Sequence, residues 1–121
     1  MADIQKGNIQ KTYALVLGIV LAIVGLWGFF TSSILNIFGV NALQSILHLI
    51  AAAFGIYVGT KGQGRGYNLS IGWIGIILGI LGFIPGIKDV LLNLLNINAG
   101  ITWLHLVIGI VSLGVAYGVK K

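Results

Sequence analysis

The chain has 121 residues, of which 58% are hydrophobic and only 7% are charged. Soluble domains carry roughly 25% charged residues, and a soluble fold of this size could not hide so much apolar surface. The net charge of +5 does not indicate a nucleic-acid partner, because the basic residues lie at the ends of apolar runs rather than in one patch. The absence of cysteine excludes disulfides, thiolate catalysis and Cys-ligated metals.

Four apolar runs without a charged residue follow one another, at residues 13–30, 41–60, 68–87 and 98–119. Each has 18 to 22 residues, which as a helix measures about 27–33 Å and crosses the hydrocarbon core of a bilayer. Barrel strands would be about half as long and would alternate. The sequence therefore predicts an all-α integral membrane protein. It is expected to form a single transmembrane four-helix bundle with the lipid bilayer as its partner.

Basic residues indicate the orientation of these spans. Six of them lie in the N-terminal tail, the middle loop and the C-terminal tail: Lys6, Lys11, Lys61, Arg65, Lys120 and Lys121. Four spans place these three segments on one side, and the other side receives only Lys88, beside Asp89. The bias predicts a multi-pass protein of the cell membrane with both termini cytoplasmic.

The connecting loops also carry local signals. The glycine-rich loop at residues 61–67 follows a membrane helix and lacks a Walker spacing, so it is interpreted as a basic turn at the headgroups rather than a phosphate site. Residues 32–38 and 89–95 each begin with a capping residue type and continue apolar. Each is predicted to form about two turns of interfacial helix, after which Asn41 and Asn98 take helix N-cap positions.

An internal repeat relates the two halves of the chain. Residues 18–50 align with residues 75–107 without a gap, and 12 of the 33 positions are identical, where composition alone would give roughly four. Each unit holds two spans, so the units enter from the same side as a parallel repeat. The polar identities are interpreted as structural groups and a histidine pair: Asn36 and Asn93, Asn41 and Asn98, His48 and His105.

Small residues recur at three- and four-residue spacing in the first and third spans. The glycines of this stripe are Gly18, Gly25, Gly75, Gly79 and Gly82. Such a face lets helix backbones approach closely, which matters in lipid because the hydrophobic effect does not drive helices together there. The stripe therefore predicts that spans one and three pack against each other at the centre of the bundle. The alternative is that the stripe faces outward and packs against a second copy of the chain in a homo-oligomer.

The two histidines lie inside apolar runs. His48 comes seven residues after Asn41, about 10 Å down its helix, and His105 stands at the same depth by symmetry. We expect each imidazole to bond its own outer loop, with partners within residues 30–44 for His48 and residues 87–101 for His105, and no cofactor.

Three ligand roles for the histidines stand as alternatives. The main one is a bis-His b-type haem site. A zinc site would lack two ligands, and a proton relay would lack an intramembrane carboxylate.

The Asn-(x)6-His-Leu pattern that opens a span occurs twice, at residues 41–49 and 98–106. In a four-span protein this pattern resembles a family of small bacterial and archaeal membrane proteins known as a domain of unknown function with an Asn…His-Leu…Gly motif. Gly109 fits the motif's glycine in the second copy, whereas the first copy has residues 51–53 as alanines before Gly55. The resemblance implies the architecture and no activity.

The chain shows no arrangement of catalytic groups, since its only acids are Asp3 and Asp89. We therefore expect a non-enzymatic structural or accessory protein, the partner of a larger membrane complex. A haem-carrying redox protein is the first alternative. A small transporter or channel component is the second, although its pore would need polar residues through the full depth.

Overall fold

The computed structural model describes residues 2–118, with side chains from residue 9 onward. Lys120, Lys121, the side chain of Lys6 and the predicted end of the last span at residue 119 lie outside the described residues. The elements are α1 (Ala2–Trp27), β1 (Ser33–Ile34), β2 (Phe38–Gly39), α2 (Ala42–Lys61), α3 (Arg65–Leu81), α4 (Ile87–Leu95) and α5 (Ala99–Gly118). The prediction of an all-α protein is confirmed.

Three helices are long and apolar enough to cross a membrane by length and composition, namely α1 over Ile9–Trp27, α2 and α5. Helix α3 is also apolar but has only 17 residues, about 25 Å, which is less than the roughly 30 Å of a hydrocarbon core. The prediction that this run continues as helix to residue 87 is wrong. The helix ends at Leu81, ahead of Pro85, whose ring removes a backbone donor and disfavours helical geometry at the residue before it.

The helices pack as two pairs, α1 with α2 and α3 with α5, and contacts between the pairs are fewer. Glycines stand where the helices of a pair meet. A Cβ atom on Gly18 would lie 2.8 Å from the backbone nitrogen of Ile56 in α2, and one on Gly75 would lie 2.6 Å from the carbonyl oxygen of His105 in α5. The stripe therefore faces the second helix of its own pair, and the prediction that it joins spans one and three is wrong.

The rest of the stripe follows the same rule. Gly25 faces Leu49, Gly79 faces Leu106 and Gly82 faces Thr102. Helices that approach this closely leave no room at the contact for a side chain larger than hydrogen. Close backbone contact of this kind stabilises helix packing where the hydrophobic effect contributes little.

The loop after α1 differs from its prediction. Residues 32–38, expected as helix, form a two-stranded antiparallel hairpin in which Ile34 pairs with Phe38. Leu35 and Asn36 both have left-handed φ values, 57° and 59°, which two successive residues adopt in tight hairpin turns and never in a right-handed helix. The corresponding loop of the second half does form a helix, α4.

The turn between α2 and α3 is shorter than the sequence indicated, covering residues 62–64. Gly64 has a φ of 87°, and a Cβ atom there would lie 2.7 Å from the carbonyl oxygen of Gln10. Both the backbone conformation and the close approach to α1 require glycine at this position.

Candidate functional site

Asn41 and Asn98 cap the helices that carry the histidines. The side-chain oxygen of Asn41 accepts a hydrogen bond from the backbone of Gln44 at 2.8 Å, and that of Asn98 accepts one from the backbone of Ile101 at 3.1 Å. Each bond satisfies one of the amide groups that the first turn of a helix leaves free. The N-cap prediction is confirmed at both positions.

The same two asparagines also connect the two helix pairs. The Asn41 amide donates to the carbonyl of Leu94 at 3.0 Å, and the Asn98 amide donates to the carbonyl of Ile37 at 3.2 Å. These acceptors are 57 residues apart, as the asparagines are, so the two bonds are reciprocal. Asn98 makes one further contact, because its oxygen also accepts from the backbone of Gly39 at 3.0 Å.

Two more amide side chains complete this set. The Gln44 amide donates to the carbonyl of Leu95 at 2.7 Å. Asn96 ends α4 in a left-handed conformation, and its amide donates to the carbonyls of Ser32 at 2.9 Å and Val40 at 2.8 Å. We call these four residues the asparagine cluster: Asn41, Gln44, Asn96 and Asn98. The cluster ties the hairpin of one half to the end of α4 in the other.

Asn36 and Asn93 do not share this role. Both are exposed, and neither side chain forms a hydrogen bond within the part of the chain that the structure describes. Asn36 stands in the hairpin turn and Asn93 in helix α4, so identical residues of the repeat occupy different backbone conformations. Their interpretation as structural polar groups therefore stays a prediction.

A second polar cluster lies at the opposite end of the helices, formed by Gln10, Tyr13, Asn68 and Ser112 and called here the Gln10 cluster. Gln10, Asn68 and Ser112 are fully buried. The Asn68 amide donates to the Gln10 carbonyl at 3.0 Å and to its side-chain oxygen at 2.8 Å, and the hydroxyls of Tyr13 and Ser112 lie 2.5 Å apart. These bonds connect α1 with α3 and α5.

The sequence pattern did not predict the Gln10 cluster, because its members lie on three different apolar runs or at their edges. A usable signal was present in Ser112, a single hydroxyl inside an apolar run, and in Asn68 at the start of another. A polar side chain in a span faces the protein interior and finds a partner there, since lipid offers none. The pairing itself depends on which helices are adjacent.

The two histidines face each other between α2 and α5. Their ring centroids are 6.4 Å apart and their planes meet at 78°, an edge-to-face arrangement. The Nδ1 atoms of both rings are buried and have no hydrogen-bond partner among the described residues. The prediction that each imidazole bonds its own outer loop is therefore wrong, because the asparagines that were expected as partners bond to backbone groups instead.

The chemistry available to His48 and His105 is narrow. A neutral imidazole presents one nitrogen as a donor and one as an acceptor, so the pair offers two lone pairs to an occupant. Within residues 9–118, no group of three His, Cys, Asp or Glu side chains is placed to hold a metal ion. The site is thus a pair of ligands without a third, and without a carboxylate to activate either ring.

A cavity of about 340 Å³ lies at the asparagine-cluster end, between α3, α4 and α5. Its lining includes Phe83, Lys88, Asp89 and Thr102. Lys88 and Asp89 are the charged residues that the sequence places on this side of the spans. The cavity is separate from the histidines and borders the second half of the chain only.

Comparison with known protein families identifies one match. Residues 11–118 match the model of the family described as "Domain of unknown function (DUF4383)", so the chain belongs to that family. The comparisons with curated proteins and with solved structures returned no match. The match covers the helices, the histidine pair and the asparagine cluster.

Proposed function

We propose that this member of the family is a small polytopic membrane protein that acts as a structural or accessory subunit rather than an enzyme. In this proposal it has four spans, built as two parallel two-span units, α1 with α2 and α3 with α5, and both termini lie in the cytoplasm. Helix α3 is the shortest span, and the bilayer thins locally around it. Helix α4 lies at the membrane interface on the side away from the termini.

Matched packing supports the repeat. Ser45 and Thr102, which are 57 residues apart, are both buried on the second helix of their pairs. Val40 and Ile97, at the same offset, are buried just before those helices begin. The close approaches of Gly18 and Gly75 to their neighbouring helices are a further matched pair.

One observation carries the proposed role: polar side chains at both ends of the helices are engaged with other helices. The Gln10 cluster joins α1 to α3 and α5, and the asparagine cluster joins the hairpin to α4. Polar groups bonded in this way fix the helices relative to one another and leave few groups for a substrate. A membrane scaffold needs this rigidity, whereas a catalyst needs polar groups that reach the reacting atoms.

The topology can be tested by cysteine labelling, for which the chain is suited because it has no cysteine of its own. Gln63, in the turn between α2 and α3, and Lys88, at the start of α4, are both exposed, and the proposal places them on opposite sides. A membrane-impermeant maleimide added to intact cells should label Lys88→Cys and leave Gln63→Cys unlabelled until the cells are permeabilised. External labelling of Gln63→Cys would overturn the orientation.

The role can be tested on protein extracted in native lipid discs. Native mass spectrometry should show an assembly heavier than the 12.8 kDa chain, and proteoliposomes of the purified protein should show no ion flux above empty liposomes. A 12.8 kDa monomer together with measurable flux would favour the transporter or channel alternative.

A bis-His haem protein is the second candidate, and the separation of 6.4 Å between the ring centroids is the observation that favours it. Against it, no Lys or Arg lies in residues 41–60 or 98–118 to meet haem propionates. The absorbance spectrum of the purified protein decides the matter. A Soret band that disappears in His48→Ala and His105→Ala would establish haem.

A further inference from the structure

The histidine pair has a feature that a scaffold does not require. An unpaired buried polar nitrogen costs about 1–3 kcal/mol. Two such atoms without a partner among the described residues stand on neighbouring rings here, Nδ1 of His48 and Nδ1 of His105. Such groups are normally explained by a bound water or ion. Because the two nitrogens lie on neighbouring rings, a single ligand bound by both imidazoles would give each nitrogen a partner.

The spacing of the rings suits an ion held between them. Metal–imidazole bonds measure about 2.0–2.1 Å, so two nitrogens on one ion lie at most about 4 Å apart. Rings whose centroids are 6.4 Å apart reach that separation when each ring turns one nitrogen toward the other. A porphyrin needs a wide slot in addition, whereas a bare ion needs only the gap between the rings.

The number and kind of ligands select among ions. Zinc takes four ligands in protein sites, and calcium and magnesium take six or more oxygens, so two nitrogens satisfy none of these three ions. The described residues offer no third His, Cys, Asp or Glu at the site. Copper is well served by imidazole, and in its monovalent d¹⁰ state it accepts two ligands in a line.

The charge of the ion matters as much as its coordination. No acidic residue lies in α2 or α5, so the protein supplies no negative charge to balance a buried cation there. The Born energy of burial grows with the square of the charge, so a divalent ion costs about four times as much as a monovalent one of equal size. A site made of two neutral ligands therefore favours a monovalent cation.

From these observations we infer that His48 and His105 form a two-coordinate site for one monovalent soft cation, Cu(I), for which Ag(I) is a redox-inert analogue. The helices hold the rings in place. Each histidine stands seven residues after an asparagine that caps its helix and bonds across to the other pair, and α5 packs its His105 carbonyl directly against Gly75. A ligand pair fixed from both sides is preorganised for one ion.

The experiment uses the full-length protein in detergent, without chloride. Ag(I) is titrated calorimetrically, and Cu(I) is titrated anaerobically against a chromophoric chelator. The wild type should bind one ion per chain, and His48→Gln and His105→Gln should each weaken binding by on the order of 100-fold or more. Glutamine keeps a polar amide of similar reach, and Asn93→Gln, on an exposed side chain, is the matched control that should bind like the wild type.

Spectroscopy of the wild type keeps the test valid if a histidine variant fails to fold. X-ray absorption at the copper edge should show two nitrogen ligands. Equal binding by the wild type and the double His→Gln variant, a four-coordinate copper spectrum, or a Soret band in the protein as purified would each overturn the inference. None of these outcomes bears on the labelling experiment, so the topology stands or falls separately.

Discussion

Replacing Asn98 by alanine is the sharpest test of the asparagine cluster. This side chain accepts from the backbones of Ile101 and Gly39 and donates to the carbonyl of Ile37. One substitution therefore removes a helix cap and two bonds to the hairpin of the other half. Asn41→Ala removes a cap and only one crossing bond, to Leu94.

The magnitude follows from these bonds. Loss of an N-cap destabilises by about 0.5–2 kcal/mol, typically about 1. Gly39 is buried, so its amide left without a partner adds about 1–3 kcal/mol, whereas the Ile37 bond is exposed and its loss adds little. We expect Asn98→Ala to reduce the free energy of unfolding by about 2–4 kcal/mol, and Asn41→Ala by about 1–2 kcal/mol.

The assay is unfolding in detergent followed by circular dichroism, with Asn93→Ala as control. The Asn93 side chain is exposed and forms no hydrogen bond within residues 9–118, so its replacement should change stability by less than about 0.5 kcal/mol. Asn98→Asp keeps the acceptor for both backbone amides and should recover most of the loss. If Asn98→Ala proved no more destabilising than Asn93→Ala, the clusters would not hold the helix pairs together.

Three further substitutions test the packing and the Gln10 cluster. Gly75→Ala should destabilise by about 1–3 kcal/mol because its Cβ would meet backbone atoms of α5, whereas Gly114→Ala, with open space around it, should be neutral or slightly stabilising in the same thermal melt. Gly64→Ala should destabilise by about 1–3 kcal/mol through its positive φ and its contact with α1, and an unchanged melting temperature would contradict the described turn. Tyr13→Phe should cost about 1–2 kcal/mol by stranding the Ser112 hydroxyl, and adding Ser112→Ala should recover part of that loss in a double-mutant cycle.

The bounds of α2 and the start of α5 could be predicted to within one residue, because each helix begins with a strong local signal. Asn41 and Asn98 stand directly before the first helical residue in both cases. Hydrophobic run length alone was less reliable. The third run continued apolar through residue 87, although Pro85 already marked a helix boundary before that point. Local backbone chemistry therefore decided where helices end, and hydropathy did not.

Residues 32–38 show a different limit. Their alignment with residues 89–95 predicted the same structure for both loops, yet one is a hairpin and the other a helix. The hairpin needs left-handed φ values at Leu35 and Asn36, and leucine rarely adopts them, so no turn signal stood in the sequence. Contacts with Asn96 and Asn98 from the other half hold the hairpin, and such contacts between distant segments are invisible to a local pattern.

The histidines were correctly placed on corresponding helices, but their partners were not foreseen. Sequence proximity suggested the asparagines of the same loop, and those asparagines instead cross to the other pair. To predict a hydrogen bond between the two helix pairs, one must know which helix ends are adjacent in space. The alignment of the two halves shows which residues correspond, but it does not give the distance between the halves. The ring contact of His48 with His105 follows from that distance.

The difference between the two halves lies at one end of the molecule, and this bears on where specificity resides. The interior holds matched caps, matched glycines and two histidines at positions 57 residues apart, whereas one connecting loop forms a hairpin and the other forms helix α4. Only the second loop carries charge, and Lys88 and Asp89 line the 340 Å³ cavity that borders Thr102. Since a symmetric site treats its two sides alike, any recognition that distinguishes one direction from another has to come from the asymmetric loops. We therefore expect the proposed ion site at the histidine pair to treat its two sides alike, and any recognition that depends on direction to involve the loops that differ between the halves.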